Sequence, residues 1–405
     1  MNKLIALIDC DSFFVSCEQA ADPSLKGLPV VVTTGERGCI VSRSKEAKAL
    51  GVKMGAPVFM DRKEHSGIIY IRARHSFYSA VSKRVMETVK KFSPVVEVSS
   101  IDEAYIDLTG TERLYKASPE EIARRIRDDI KSETDIPVSV GISLTKTLAK
   151  LACDKSKSSG GILYINDFNR REILKSAQTE EICGIGKNAA RSLKMIGIFS
   201  AYELLNAPDT LLRKAGGKNI LDLKYELSGI MAYPIEYTEK PPKSIQDTSA
   251  LPDFTHRKED LKHALRSHVH RAARRLRGLG GYCNVAGVML RTKDFRVFEK
   301  RTRLNFGTNS EDEIFSALLL LLNELYDACQ TYRSIGVMLE NLSYGNQSDL
   351  FQNTVYHDSA LDKALDEIES KYGQGAIKRG NDFLSRKDCH KKFKEMEWTQ
   401  ETEAC

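Results

Sequence analysis

No apolar run in this chain of 405 residues approaches the roughly 20 residues needed to cross a bilayer, so no membrane span is expected. Nine cysteines are scattered without a Cys-x-x-Cys pair or metal-like spacing. That argues against a disulfide framework and against a thiolate metal site, and fits reduced thiols in a cytosolic protein. Neither sign of charge is in large excess. A net charge of +6 means that any nucleic-acid surface must be a local concentration of basic residues. There is no signal peptide in this reading, because the N-terminus opens directly on a core-like strand, Leu4 to Ile8. What is present is the composition of a globular protein, 41% apolar and 29% charged. The length is too great for one ordinary core, and two to four domains are expected.

Two groups of acids stand where acids are disfavoured. Asp9 and Asp11 close the opening apolar run, and Asp102-Glu103 interrupts a strand-like stretch from Ser99 to Asp107. Strands are poor places for carboxylates, and adjacent strand residues face opposite ways. Asp102 and Glu103 therefore serve one site only at a turn or a strand edge. The alternative for an isolated Asp-Glu pair is a solvated hairpin tip. Two strands ending in acids, brought side by side, instead make a cage for hard divalent cations, since Mg²⁺ takes oxygen ligands and substrate phosphates. Two such ions roughly 3.5–4 Å apart form the clamp for in-line phosphoryl displacement.

Strand-like and helix-like segments alternate to about residue 165, an α/β signature. Short helices follow to about 235, and Lys240-Pro241-Pro242-Lys243 reads as a stiff, solvated linker. Then come a short strand near 248–251, a helix over 258–277, strands near 284–291 and 297–305, a helix near 311–328 and a strand near 333–342. This is a βαββαβ-like α+β domain. Beyond Tyr344 the chain is polar with one helical pattern over 359–371, and partial disorder is expected. Residues 257–277 carry eight Lys/Arg against two acids. Leu261, Leu265, Ala272, Leu276 and Leu279 mark a core face, while Lys262, Arg266, Arg274 and Arg277 line another. With Arg291, Lys293, Arg296, Lys300, Arg301 and Arg303 this reads as a phosphate-tracking surface.

The sequence Asp9-Cys10-Asp11-Ser12-Phe13-Phe14-Val15-Ser16-Cys17-Glu18, continued by Pro23 to Val32, resembles the first motif of the Y-family (UmuC-type) DNA polymerases, the translesion enzymes. Ser100-Ile101-Asp102-Glu103-Ala104-Tyr105 resembles the main catalytic motif of that family. Val140-Gly141-Ile142-Ser143 with Lys146, Leu148-Ala149-Lys150 and Asp154 resembles the third. The motifs keep the family's order over residues 1 to about 345. Glu46 to Gly55 is similar to the bacterial mutagenesis branch.

The resemblance implies a right-hand polymerase, mixed α/β and α+β. Its palm would be 1–19 and 81–165, small fingers 20–80, and a helical thumb 166–237. A linker at 238–246 would lead to a little finger at 247–345 and a tail at 346–405. Asp9, Asp102 and Glu103 would hold two Mg²⁺ ions, with the Cys10 carbonyl a further ligand and Asp11 in a lesser, structural role. Asp107 would pair outside the cage. Phe14 would be the steric gate against a ribose 2′-hydroxyl, with Phe13 beside it and better suited to core packing. Ser42, Lys45, Lys48 and Lys157 match phosphate-contacting positions. Lys45 and Lys48 stand where many members carry Tyr and Arg, which keeps the attraction and loses the bidentate fork. Cys39 and Val41 would roof the nascent base pair. Gly184, Gly186 and Lys187 resemble a helix-hairpin-helix turn that offers backbone amides to a DNA phosphate. Gln347, Asp349, Leu350 and Phe351 resemble a sliding-clamp-binding peptide. Implied partners are primer-template DNA, deoxynucleoside triphosphates, the clamp, and the recombinase filament or accessory mutagenesis subunits, in a cytoplasmic protein acting at the nucleoid. Two rivals are an inactive scaffold relative, and a two-metal nuclease or nucleotide cyclase. The first is disfavoured by the full set of site residues, the second by gate, hairpin, basic domain and clamp peptide in one chain.

Overall fold

The structure, a computed structural model, describes residues 3–36, 38–238, 240–344, 360–373 and 376–377. The chain divides into two units, Met1–Glu239 and Lys240–Cys405, with the division inside the expected linker. In chain order the first unit runs β1 (Ile5–Cys10), α1 (Phe13–Ala21), β2 (Val30–Thr33), β3 (Ile40–Arg43), α2 (Lys45–Ala49), α3 (Val58–Glu64), β4 (Ile69–Arg72), α4 (His75–Lys90), β5 (Val96–Val98) and β6 (Glu103–Asp107). It continues with α5 (Thr111–Tyr115), α6 (Pro119–Thr134), β7 (Val138–Ser143), α7 (Lys146–Ser156), β8 (Ile162–Tyr164), α8 (Arg170–Ser176), α9 (Lys187–Met195), α10 (Ala201–Asn206) and α11 (Asp209–Ser228).

The central sheet has the order β5-β6-β1-β7-β8. β1 is buried along its whole length, which explains its unbroken apolar run. It pairs antiparallel with β6 on one side and β7 on the other. Alternation sends Ala6, Ile8 and Cys10 into the main core, where α4 and α6 pack. Ile5 and Leu7 face the other way, against Tyr105 and the α7 residues Ala149 and Cys153. α7 lies unusually close to the sheet because β7 offers a glycine there. A Cβ at Gly141 would stand 2.1 Å from the Cys153 nitrogen and 2.2 Å from the Ala149 carbonyl oxygen. A second, three-stranded sheet, β3-β2-β4, lies within the expected fingers. The helical segment 170–228 is joined to α7 by Glu226, fully buried. Its carboxylate accepts from the Thr147, Ala232 and Tyr233 backbone nitrogens at 2.7–3.0 Å.

The second unit contains β9 (Ser244–Thr255), α12 (Lys258–Gly278), β10 (Gly281–Thr292), β11 (Val297–Thr308), α13 (Glu311–Leu325), β12 (Tyr332–Tyr344) and α14 (Ala360–Tyr372). The βαββαβ order matches the sequence reading, and the sheet order is β11-β10-β12-β9. β9 is far longer than the expected short strand and begins inside the expected linker. It forms because its ladder with β12 runs from Ser244–Glu340 to Thr255–Tyr332. α12 buries Leu261, Leu265, Ala272 and Leu276 as its periodicity requires, but Leu279 is 43% exposed at the helix end.

Candidate active site

The register of β1 against β6 sets Asp9 directly opposite Glu103, so both carboxylates leave the sheet on the face that α7 covers. Asp102 stands one residue before β6, in the turn, where the alternation rule for strands no longer applies. The backbone locks the turn: Cys10 N–H donates to the Asp102 carbonyl at 2.8 Å, and Asp102 accepts from the Ser100 hydroxyl. All three acids line one cleft of about 640 Å³. Cys10 lines it too, by its backbone, since its side chain belongs to the core behind the sheet. Asp107, at the far end of β6, pairs with Lys3 at 3.0 Å, outside the cleft. Asp11 accepts from Ser139 Oγ at 2.9 Å. Burial raises its pKa against the opposing pull of Ser139 and Lys157.

Two lysines of the α7 segment reach into this acid group. Lys150 Nζ donates to Asp9 Oδ2 at 2.8 Å and to Glu103 Oε2 at 2.9 Å. Lys157 Nζ donates to Asp9 Oδ1 at 3.0 Å. Burial works to lower the Lys150 pKa, but the hydrogen bonds to Asp9 and Glu103 outweigh it and hold the amine well above its ordinary value. Lys157 is raised in the same way by Asp9. Lys150 received no role from the sequence. The available signal was an ionic stripe at helical spacing, Lys150, Asp154 and Lys157, one face of one helix.

The donors fit a hard divalent cation by type, being carboxylate oxygens with no imidazole or thiolate among them. The cleft already holds cationic groups, since the Lys150 ammonium bridges Asp9 and Glu103. Among the described residues no three His, Cys, Asp or Glu side chains converge as a ready-made metal site. The reason is visible: Lys150 lies between two of the acids, and the third is turned to Ser100.

Opposite the acids, α1 and the small sheet form the other wall. Phe13 and Phe14 both line the cleft, Phe13 from the core at 3% exposure and Phe14 half-buried. Ser42 also lines it, but its hydroxyl donates to the Ser12 carbonyl at 3.2 Å, tying β3 to the start of α1. Lys45 and Lys48 line the cleft from α2 and are exposed. Val41 is present there, whereas Cys39 pairs with Pro57 at an isolated bridge. Arg43 and Met54 also line the cleft, and the sequence reading assigned them nothing; Arg43 donates to the Val52 carbonyl.

Elsewhere, Gly184 has φ +96° and a Cβ there would press on Leu223 at 3.3 Å, which explains that glycine. Gly186 caps α9 without a side-chain hydrogen bond, and Lys187 is the first residue of the helix. Three arginines of the expected phosphate-tracking face are placed against acids instead. Arg266 meets Asp312 at 2.8 Å, Arg274 meets Glu369 at 2.7 Å, and Arg277 meets Asp366 at 2.6 Å with only 6% of its side chain exposed. α14 supplies two of these acids, and with Asp362 it turns its carboxylates inward. Lys262 is half-buried, 4.0 Å from Glu259. The register places Arg291, Arg301 and Arg303 on the face of the sheet opposite α12 and α13, where Arg301 too meets acids, Glu299 at 2.9 Å and Glu340 at 3.1 Å. Gln347, Asp349, Leu350 and Phe351 lie outside the described residues. No helix among the described residues is long and apolar enough to cross a membrane, and the seven described cysteines are all free.

Residues 8–154 match the impB/mucB/samB family, and residues 242–351 match its C-terminal domain. Protein UmuC of Salmonella typhimurium is 30% identical over 391 residues, covering 92% of either chain. DNA polymerase IV of Caulobacter vibrioides is 29% identical over 387 residues, covering 94% of either. Among solved structures, a Y-family DNA polymerase chimera of Dbh and Dpo4 superposes with a TM-score of 0.75 at 29% identity. The match covers 84% of this chain and 100% of the chimera. An insertion ternary complex of Dbh DNA polymerase gives 0.58 at the same identity, with the same coverage.

Proposed function

The chain belongs to the impB/mucB/samB family of UmuC- and DinB-type Y-family DNA polymerases and is a DNA-directed DNA polymerase; on that premise we propose that it copies damaged templates with low fidelity by two-metal nucleotidyl transfer in the cleft of Asp9, Asp102 and Glu103. The observation that carries this reading is the convergence in one cleft of four carboxylates, Asp9, Asp11, Asp102 and Glu103, with two aromatic rings and four lysines, Lys45, Lys48, Lys150 and Lys157. Asp9, Asp102, Glu103 and the Cys10 carbonyl would hold two Mg²⁺ ions, which when bound neutralise the triphosphate and activate the primer hydroxyl.

The protein's own contribution is position and charge. Lys150 keeps Asp9 and Glu103 from repelling each other across the register. Lys157, together with Lys45 and Lys48 from the opposite wall, draws the triphosphate into the cleft as point charges. Phe14 closes the space beside the sugar with a ring that has no hydrogen bond to offer a hydroxyl. Val41 is a small roof over the base pair, and the fingers helices are short, five residues in α2 and seven in α3. Such a roof leaves room for a distorted template base. Gly184, Gly186 and Lys187 contact the DNA backbone from the thumb, and the open face of the little-finger sheet tracks phosphates. The Gln347–Phe351 peptide recruits the sliding clamp.

Primer extension with the purified chain and Mg²⁺ tests the reading, over undamaged and damaged templates. Asp102→Ala and Glu103→Ala are expected to abolish insertion while primer-template affinity stays near the parent, because affinity lies in the basic surfaces. Substantial insertion by either variant would place the chemistry elsewhere, and no extension by the parent would favour the inactive-scaffold alternative.

A further inference from the structure

Behind Phe14 lies a group of residues that the polymerase chemistry does not use. Phe14 and Glu18 are one turn apart on α1, on one face of the helix. Tyr78 of α4 touches both. Its ring stacks on Phe14 with centroids 4.6 Å apart and 19° between planes, and its hydroxyl donates to Glu18 Oε1 at 2.6 Å. Arg74 holds the same carboxylate in a fork, Nε at 3.0 Å from Oε1 and Nη2 on Oε2. His75 stands edge-on to Phe14 at 6.1 Å and to Tyr78 at 6.2 Å.

Glu18 is 4% exposed and Tyr78 fully buried, and neither lines the cleft. A buried carboxylate is tolerated when it is paired and hydrogen-bonded, and both oxygens of Glu18 are engaged. It is therefore neither a metal ligand nor a proton acceptor for the reaction. Burial, aided by Glu18, pushes the Tyr78 phenol well above its ordinary pKa, so it remains a donor. Phe14 has no polar handle, and its terminal torsion is intrinsically broad. What fixes the plane of Phe14 is the ring it stacks on, and what fixes that ring is Glu18.

We infer that Tyr78, anchored by Glu18 and Arg74, is a positioning residue that sets the plane and depth of Phe14 and thereby the discrimination between deoxyribose and ribose. This rests on the reading of Phe14 as the sugar gate. The difference between admitting and excluding one hydroxyl is small in space, so a gate of this kind needs a rigid backing, and a stack alone can pivot.

The test is single-nucleotide insertion of matched deoxy- and ribonucleotides by the full chain, comparing Phe14→Ala, Tyr78→Leu, Tyr78→Phe and the double variant Phe14→Ala/Tyr78→Leu. Tyr78→Leu removes the stack and is expected to lower discrimination about tenfold, the worth of an aromatic pair. The change should be a rise in ribonucleotide kcat/KM with the deoxynucleotide value nearly unchanged. A merely structural loss would lower both together and leave their ratio alone. Tyr78→Phe keeps the ring, drops the anchor and should fall between parent and Tyr78→Leu; it also carries the test if the leucine variant does not fold. The double variant should be no more permissive than Phe14→Ala, because both changes act on one gate. If Phe14→Ala relaxes discrimination while both Tyr78 variants keep the parental ratio, the inference is overturned and the gate stands. If Phe14→Ala itself leaves the ratio unchanged, the gate reading falls and this inference falls with it.

Discussion

Gly141→Ala should separate the placement of α7 from every side chain that touches substrate. The new Cβ would start 2.1 Å from the Cys153 nitrogen, and this must open to 3.4 Å for ordinary contact, so α7 recedes from β7 by about 1.3 Å. Backbone atoms are on both sides, and no rotamer relieves the clash. The recession carries Lys150 and Lys157 away from Asp9 and Glu103, whose present separations of 2.8–3.0 Å leave little slack. Overpacking of this size costs about 1–3 kcal/mol, a fall in Tm of some degrees. A misplacement of about 1 Å at reacting groups costs on the order of 100-fold in rate. The assay is pre-steady-state insertion of one nucleotide at saturating substrate, alongside a melt and a primer-template titration. A folded variant with unchanged DNA affinity and about 100-fold slower insertion is expected. Gly278→Ala, where a Cβ meets nothing within 4 Å, serves as the tolerated control. Parental insertion by a folded Gly141→Ala would refute the claim that the close approach of α7 sets the site.

Lys150→Met leaves Asp9 and Glu103 as like charges directly opposite one another, which is destabilising. The variant should therefore melt lower than the parent in EDTA and regain much of the difference in Mg²⁺. An equal response of parent and variant to Mg²⁺ would count against these acids as the metal ligands. In the little finger, neutralising Arg291 and Arg303 should flatten the salt dependence of DNA binding by about 0.9 in log–log slope per lost contact, whereas neutralising Arg274 and Arg277 should lower Tm and leave the slope alone; the reverse pattern would restore α12 as the DNA face. The hydrogen bond to Glu311, opposed by burial and reinforced by Glu369, raises the His270 pKa above its usual value. Protonation is then favoured by folding. The contribution is full below about pH 6.5 and is lost as pH rises through the raised value. The little-finger melting transition should fall over that window, and His270→Gln should abolish the fall; a flat profile in the parent would exclude the link.

Asp9, Asp102 and Glu103 stood out because acids in apolar strands are costly, and the structure sets them along one cleft; Phe14, which lines it too, was singled out by the resemblance of its motif. The register that sets Asp9 against Glu103 was not legible, because spacing along one strand says nothing of which residue stands opposite. Lys150 was missed for the same reason: its helical face could be read, but not the strand it covers. The one-sided basic stripe of α12 invited a phosphate reading, since its counter-charges Asp366 and Glu369 lie about ninety residues further along the chain. β9 was underestimated because Asp247, Pro252 and Asp253 weaken its strand signal, while its ladder with β12 extends it.

The antiparallel pairing of β1 with β6 also makes the cleft sensitive to the length of the chain as well as to the identity of its residues. A substitution in the Ser99–Asp102 turn changes one side chain. The turn joins β5 to β6, so deleting a single residue there forces β6 to slip by one against β5 or against β1, and with a side-chain period of two every residue of a slipped strand changes face. If the slip falls on β1, Ala104 would stand opposite Asp9 and Glu103 would move to the place that Asp102 now holds. Gain or loss of one codon that slips β6 on β1 thus removes Glu103 from its place opposite Asp9.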